Sequence, residues 1–181
     1  MIFSSYTFIF AFLPIVFTAY FLLQRFAGDR PAKIWLVAAS LFFYAWGNIL
    51  FLPLLAGTVV FNYFIVSLLR KNRGRPVLPK MLLALSVLEN LGLLFYFKYL
   101  NFFLSNVNYV FGTGYILRDI VLPIGISFYT FQILAHVIDT YRGESEDSTF
   151  LEFAVFVTFF PQLIVGPIVR HDYMIGQIRS E

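Results

Sequence analysis

Six residues in one stretch of the chain, most with side chains suited to chemistry, share a helical spacing. They are Gly125, Tyr129, Gln132, His136, Asp139 and Thr140. Their spacings are four, three, four and three, with Thr140 adjacent, so a helix would gather them on one face. That face would carry a phenol, a carboxamide, an imidazole and a carboxylate. Ile126, Ile133 and Val137 fall on the other face, which suits lipid or packed protein. Polar groups on a helix in an apolar medium must face the bundle interior or a water-filled cavity. Two roles are open: hydrogen bonding between helices, or lining a substrate passage.

Other candidate constellations fail on spacing or residue type. Gly125-Ile126-Ser127-Phe128-Tyr129 resembles part of a nucleophile elbow, but the final Gly and a preceding strand are missing. Ser127 and Tyr129 stand nine and seven positions from His136, two turns or more, which is beyond hydrogen-bond reach on a straight helix. Gly112-Thr113-Gly114 lacks the strand that a phosphate loop requires. His136 and His171 are far apart in sequence with no third ligand in view, so no metal site is expected. The chain has no cysteine, which removes disulfides, thiolate sites and a Cys nucleophile. Glu89 needs a partner or a proton if it sits in an apolar helix. Lys98 is expected to extend to an interface. Pro161 and Pro167 each remove a backbone donor, with Gln162 between them and Arg170 just beyond. A helix broken in this way can line a cavity.

The elements that hold these residues follow from composition. Hydrophobic residues make up 60% of the 181, and charged residues only 13%. A soluble domain carries about 25% charged residues to cover its surface. We therefore expect an all-α, polytopic transmembrane bundle of about six membrane segments, some broken or re-entrant. The first runs over about 4–23 and has no basic leader, so it reads as a retained helix rather than a cleaved signal. Arg25, Asp29, Arg30 and Lys33 are expected in the first polar loop. The 36 uncharged residues from Ile34 to Leu69 exceed one span of about 20 and suggest two helices turning at Gly47-Asn48. The fourth segment is expected over 81–104, followed by a polar stretch over 105–119. The fifth covers 120–141 and the sixth 150–169. No internal repeat appears, so an inverted-repeat transporter is not favoured.

The net charge of +3 resides in the loops between segments, without a basic face interleaved with aromatics. This excludes nucleic-acid binding. Arg70, Lys71, Arg73, Arg75 and Lys80 form a loop with no acidic residue. The positive-inside rule puts that loop in the cytoplasm, together with 25–33 and 142–149, and the N-terminus outside.

Two long motifs are specific. Leu122-Pro-Ile-Gly-Ile-Ser-Phe-Tyr-Thr-Phe-Gln132 continues to Ile138-Asp-Thr-Tyr-Arg-Gly-Glu144. Phe159-Phe-Pro-Gln-Leu-Ile-Val-Gly-Pro-Ile-Val-Arg170 follows. With the opening Met1–Phe10, Ser40–Gly47 and Tyr96–Phe103, they resemble the membrane-bound O-acyltransferase family, in its bacterial polysaccharide-acylating branch. The resemblance implies acyl transfer to a hydroxyl, most simply O-acetylation of an exported polysaccharide such as alginate, at a bacterial cytoplasmic membrane. The implied donor is acetyl-CoA or an acyl carrier, with no covalently bound cofactor. The implied partners are lipid, the polysaccharide acceptor and polysaccharide-modification or acyl-carrier proteins. Family members carry a Trp-Arg-Arg-Trp-His-type motif and a later catalytic His in a Trp-His-Gly-like context, and neither occurs here. Residues 1–181 thus resemble the N-terminal portion of one acyltransferase domain, with the catalytic base expected beyond Glu181. Tyr129, Gln132, His136, Asp139, Gln162 and Arg170 are then candidates for a tunnel wall. The alternatives are a non-catalytic scaffold subunit or part of a transporter.

Overall fold

The computed structural model describes residues 5–165 and 171–179. Three continuous helical stretches among them are long and apolar enough to cross a bilayer: Phe8–Ala27, Asp29–Lys71 and Leu78–Phe111. The first is a π-helical turn (Phe8–Phe12) running into α1 (Leu13–Ala27). The second comprises α2 (Asp29–Asn48), a 3-10 turn (Ile49–Phe51) and α3 (Leu52–Lys71). Asn48 leaves the helical region, with φ −161° and ψ 108°, and its side chain caps the Leu50 N–H at 3.0 Å. Pro53 then takes the first turn of α3, where its missing donor costs nothing. The expected hairpin at Gly47-Asn48 therefore forms. The third stretch is α4 (Leu78–Leu94), a π-helical turn (Phe95–Tyr99) and α5 (Leu100–Phe111). It extends beyond the expected 81–104, because residues 105–111 continue the helix up to Gly112, which has φ +63°. Behind these come α6 (Ile126–Arg142), α7 (Phe150–Thr158), α8 (Phe160–Val165) and α9 (His171–Arg179).

The first polar loop proves to be a single residue. Gly28, with φ +92°, turns the chain directly from α1 into α2. Asp29, Arg30 and Lys33 belong to α2, and Lys33 is buried. Its ammonium bridges Asp29 at 2.7 Å and Glu152 of α7 at 3.3 Å, which removes the need for water.

The sixth segment breaks at Phe159, where φ is −51° and ψ is 109°. Pro161 then sits in the first turn of α8, where no donor is missed. The N–H of Phe160 finds the Ser40 hydroxyl of α2 at 3.2 Å. Pro167 lies outside the described residues.

Helix α6 is central and packs on α3, α4, α7 and α8. Its 17 residues give a length of about 26 Å. Ile126, Ile133 and Val137 are 0–2% exposed, so this apolar flank of the polar stripe meets protein rather than lipid, while Phe128 and Phe131 on another side of α6 stay exposed. Apolar side chains that remain exposed, among them Phe10, Phe17, Phe64, Leu85 and Leu88, sit on the long outer helices, as lipid-facing positions should.

Three loops gather at one end of the bundle. Arg70 bonds the carbonyls of Glu146 and Ser148 at 2.8 and 3.1 Å, joining the α3–α4 loop to the α6–α7 loop. The Lys33–Glu152 pair brings in the α1–α2 turn. The 25–33, 70–80 and 142–149 loops thus share a side, as the charge pattern predicts.

Candidate functional site

The structure brings Tyr129, Gln132, His136 and Asp139 together on α6. The first three are buried, and Asp139 is half-buried. The Gln132 amide donates to the Phe156 carbonyl of α7 at 2.8 Å. Gln162 lies on α8 and is half-buried. Arg170 lies outside the described residues. The start of α6 is pinned to α8. Gly125 has φ +74°, and a Cβ there would stand 2.4 Å from the Leu163 carbonyl oxygen. Only glycine meets both conditions.

At the end where the loops gather, the two histidines stack, with ring centroids 3.9 Å apart and planes tilted by 33°. Phe153 and Phe156 of α7 close around them. Sequence spacing gave no sign of this pairing, because 35 residues and a broken helix separate the two rings. The His171 Nδ1 meets Asp172 at 2.9 Å. The Ser145 hydroxyl lies 3.3 Å from the same carboxylate and 3.4 Å from His136 Nδ1. Burial pushes the His171 imidazole below its ordinary value, and the Asp172 carboxylate opposes that shift. Serine, histidine and aspartate are all present, but in the wrong order for a triad. There the imidazole stands between hydroxyl and carboxylate and takes the hydroxyl proton. Here the hydroxyl meets the carboxylate directly, and its one proton has three acceptors in reach: the Glu146 carbonyl at 3.2 Å, Asp172 at 3.3 Å and His136 Nδ1 at 3.4 Å. The cluster fastens α6, α9 and the 143–149 loop together. The Nε2 atoms of both rings are buried with no hydrogen-bond partner among the described residues. Among the described residues no group of three or more His, Cys, Asp or Glu could hold a metal ion.

Glu89 finds the helix-borne partner that its position demanded. Its carboxylate accepts from Asn62 of α3 at 3.0 Å and from the Thr58 hydroxyl. Asn62 is a hub: its carbonyl oxygen accepts from Ser86 at 2.6 Å and Asn90 at 2.9 Å. Among the described residues the buried Tyr129 hydroxyl has no hydrogen-bond partner; it lies within electrostatic reach of Glu89 and of Tyr44, whose hydroxyl also has none there. Tyr129 therefore belongs to a polar interior shared by α2, α4 and α6, which helix periodicity alone could not assemble.

At the opposite end Lys98 donates to the Ser127 hydroxyl at 3.2 Å, and its ammonium lies 5.5 Å from the Tyr99 ring centroid. Lys98, Ser127, Pro123, Phe128 and Phe131 help to line a cavity of about 460 Å³.

The chain is 41% identical over its full length to a peptidoglycan O-acetyltransferase of Helicobacter pylori, 39% of whose length it spans. It is 41% identical over 98% of its length to a probable alginate O-acetylase of Pseudomonas aeruginosa, spanning 34% of that protein. A probable alginate O-acetylase of Pseudomonas putida is 39% identical over 99% of the chain, with 37% of its own length covered. The chain thus spans between a third and two fifths of these relatives. No family model matches the chain, and no solved structure does.

Proposed function

We infer from this whole-length similarity, which places the chain in the membrane-bound O-acyltransferase family, that it builds the N-terminal helices of a polysaccharide O-acetyltransferase. The observation that carries the reading is the 41% identity to two polysaccharide O-acetylating proteins along essentially every residue. The reaction moves an acetyl group from a donor thioester to a sugar hydroxyl, and a base removes the hydroxyl proton. The family's histidine motifs are absent from this sequence, and neither His136 nor His171 stands in such a motif. The base therefore belongs to a segment this sequence does not contain. The chain supplies part of the passage wall: Tyr129, His136 and Asp139 on α6, with Gln162 and Arg170. Unpartnered buried polar atoms on Tyr44, Tyr129 and His136 support a polar interior. Gln132 spends its amide on α7.

The bundle lies in a bacterial cytoplasmic membrane, with the loop-gathering end in the cytoplasm and the N-terminus outside. Five basic residues in the 70–80 loop support that orientation. The donor, acetyl-CoA or an acyl carrier, approaches the cytoplasmic end, and the exported polymer meets the other. A single Cys at Asn72 should resist a membrane-impermeant thiol reagent in intact cells, whereas one at Gly114 should react. The reverse pattern would invert the topology.

The function is tested with a chimera in which this chain replaces the matching segment of an alginate O-acetylase. Expressed in cells lacking the native enzyme, the chimera should restore polymer-bound acetyl ester. The chain alone should give no more than empty vector. A chimera that inserts normally and yields no ester would argue for a scaffold.

A further inference from the structure

Lys98 is placed as no anchoring role requires. It lies at the end of the bundle opposite the basic loops, where lysine and arginine are scarce in membrane proteins. It sits inside the π-helical turn Phe95–Tyr99 within a 34-residue helical stretch. Such turns insert an extra residue, re-aim the neighbouring side chains and occur frequently at functional sites. The ammonium is aimed at the start of α6, where it donates to Ser127. One of its three donors is used there, and no described contact supplies a carboxylate. The cavity beside it has apolar and aromatic walls from Leu122, Pro123, Phe128 and Phe131. The cavity floor is also fixed, because Gly125 is locked against Leu163.

We propose that Lys98 and Ser127 form an acceptor subsite that binds the carboxylate of an acidic polysaccharide, with the sugar ring against Phe128 and Phe131. The inference rests on the reading of the chain as part of a polysaccharide O-acetyltransferase, and it names which acceptors that enzyme takes. Alginate is a polymer of uronic acids, and peptidoglycan carries carboxylates on its peptide stems. An ammonium with two free donors gives a charge-assisted bond to either. The aromatic rings offer flat apolar surface to a sugar face. Lys98 is a positioning residue for the acceptor and takes no part in proton transfer.

The test measures binding to the chain in nanodiscs of neutral lipid. The probes are a mannuronate tetramer, its methyl ester and a neutral mannose tetramer. The mannuronate should bind best, and the methyl ester about tenfold or more weaker, as expected for losing a hydrogen bond between charged groups. Lys98→Gln should bind mannuronate as weakly as wild type binds the ester, and Lys98→Arg should retain most of the affinity. Thermal unfolding of Lys98→Gln should match wild type, because the side chain is exposed. Equal affinity of Lys98→Gln and wild type for mannuronate would overturn the proposal. So would equal affinity for acid and ester, or loss of mannuronate binding when phosphatidylglycerol replaces part of the neutral lipid. In the chimera described above, Lys98→Gln should lower ester yield at limiting acceptor and recover at saturating acceptor. Absence of ester in the unmutated chimera would instead count against the function itself.

Discussion

Gly125 and Gly143 stand at the two ends of α6 and form a matched pair for substitution. Both have left-handed backbones, with φ +74° and +79°. A Cβ at Gly143 would meet nothing within 4 Å, whereas one at Gly125 would stand 2.4 Å from the Leu163 carbonyl oxygen, against an ordinary contact of 3.4 Å or more. Alanine at Gly143 therefore incurs only the left-handed penalty of about 1–2 kcal/mol, less the several tenths recovered from a stiffer unfolded chain. Its net cost should be about 1 kcal/mol. Alanine at Gly125 carries the same cost plus about an ångström of forced displacement in α8. Leu163 is fully buried, so α8 has no slack, and overpacking of this kind costs about 1–3 kcal/mol. The expected loss is about 3 kcal/mol, so the pair should differ by about 2 kcal/mol. Equilibrium unfolding of both variants in one detergent measures the difference directly. Equal losses would show that the approach of Gly125 to Leu163 carries no energy, and the pinning of α6 to α8 would have to be abandoned.

Three further outcomes are expected. Asn62→Leu strands the Ser86 hydroxyl, the Asn90 amide and Glu89 between α3 and α4, and should lose about 1–2 kcal/mol by the same unfolding measurement. Lys33→Met leaves the buried Glu152 without its cation and should lose about 3 kcal/mol; Lys33→Arg should lose much less. The lowered value of His171 means that the undocked form binds more protons than the docked one. Docking of α9 is therefore complete above the ordinary imidazole value of about 6.5 and weakens as pH falls below it. With the intrinsic pH dependence of amide exchange divided out, the protection factors of the α9 amides should be lower at pH 5 than at pH 7.5, and His171→Phe should shrink that difference.

The long apolar runs were legible because lipid imposes one requirement at every position, and the hairpin showed because Asn48 and Pro53 are local signals. Shared sidedness of the two basic loops was legible from charge, and that of the acidic 142–149 loop from the number of segments between them. The burial of Lys33 was not, because its reason is Glu152, 119 residues away. The stacking of His136 on His171 was hidden for the same kind of reason. The histidine contact lies beyond the break at Phe159, and the sequence marked that break only by a proline two residues later. Helix periodicity placed Tyr129, Gln132, His136 and Asp139 on one helix, and their separate partners came from three-dimensional packing. Ile126, Ile133 and Val137 were ambiguous between lipid and protein, since both media accept the same side chains.

The central position of α6 also bears on how the protein is made. Its polar stripe carries Gln132 and His136 in the body of the helix and Asp139 near its end, and polar side chains in a segment oppose its membrane insertion. The described residues that qualify as spans by length and apolarity do not include it. A ribosome releasing α6 by itself would deliver a segment that the translocon does not readily pass to lipid. The α3–α4 hairpin emerges earlier and already displays the surfaces on which α6 packs. Insertion of α6 is then an assembly step on a waiting platform, and damage to that hairpin should appear in cells as retained, degraded precursor before it appears as lost catalysis.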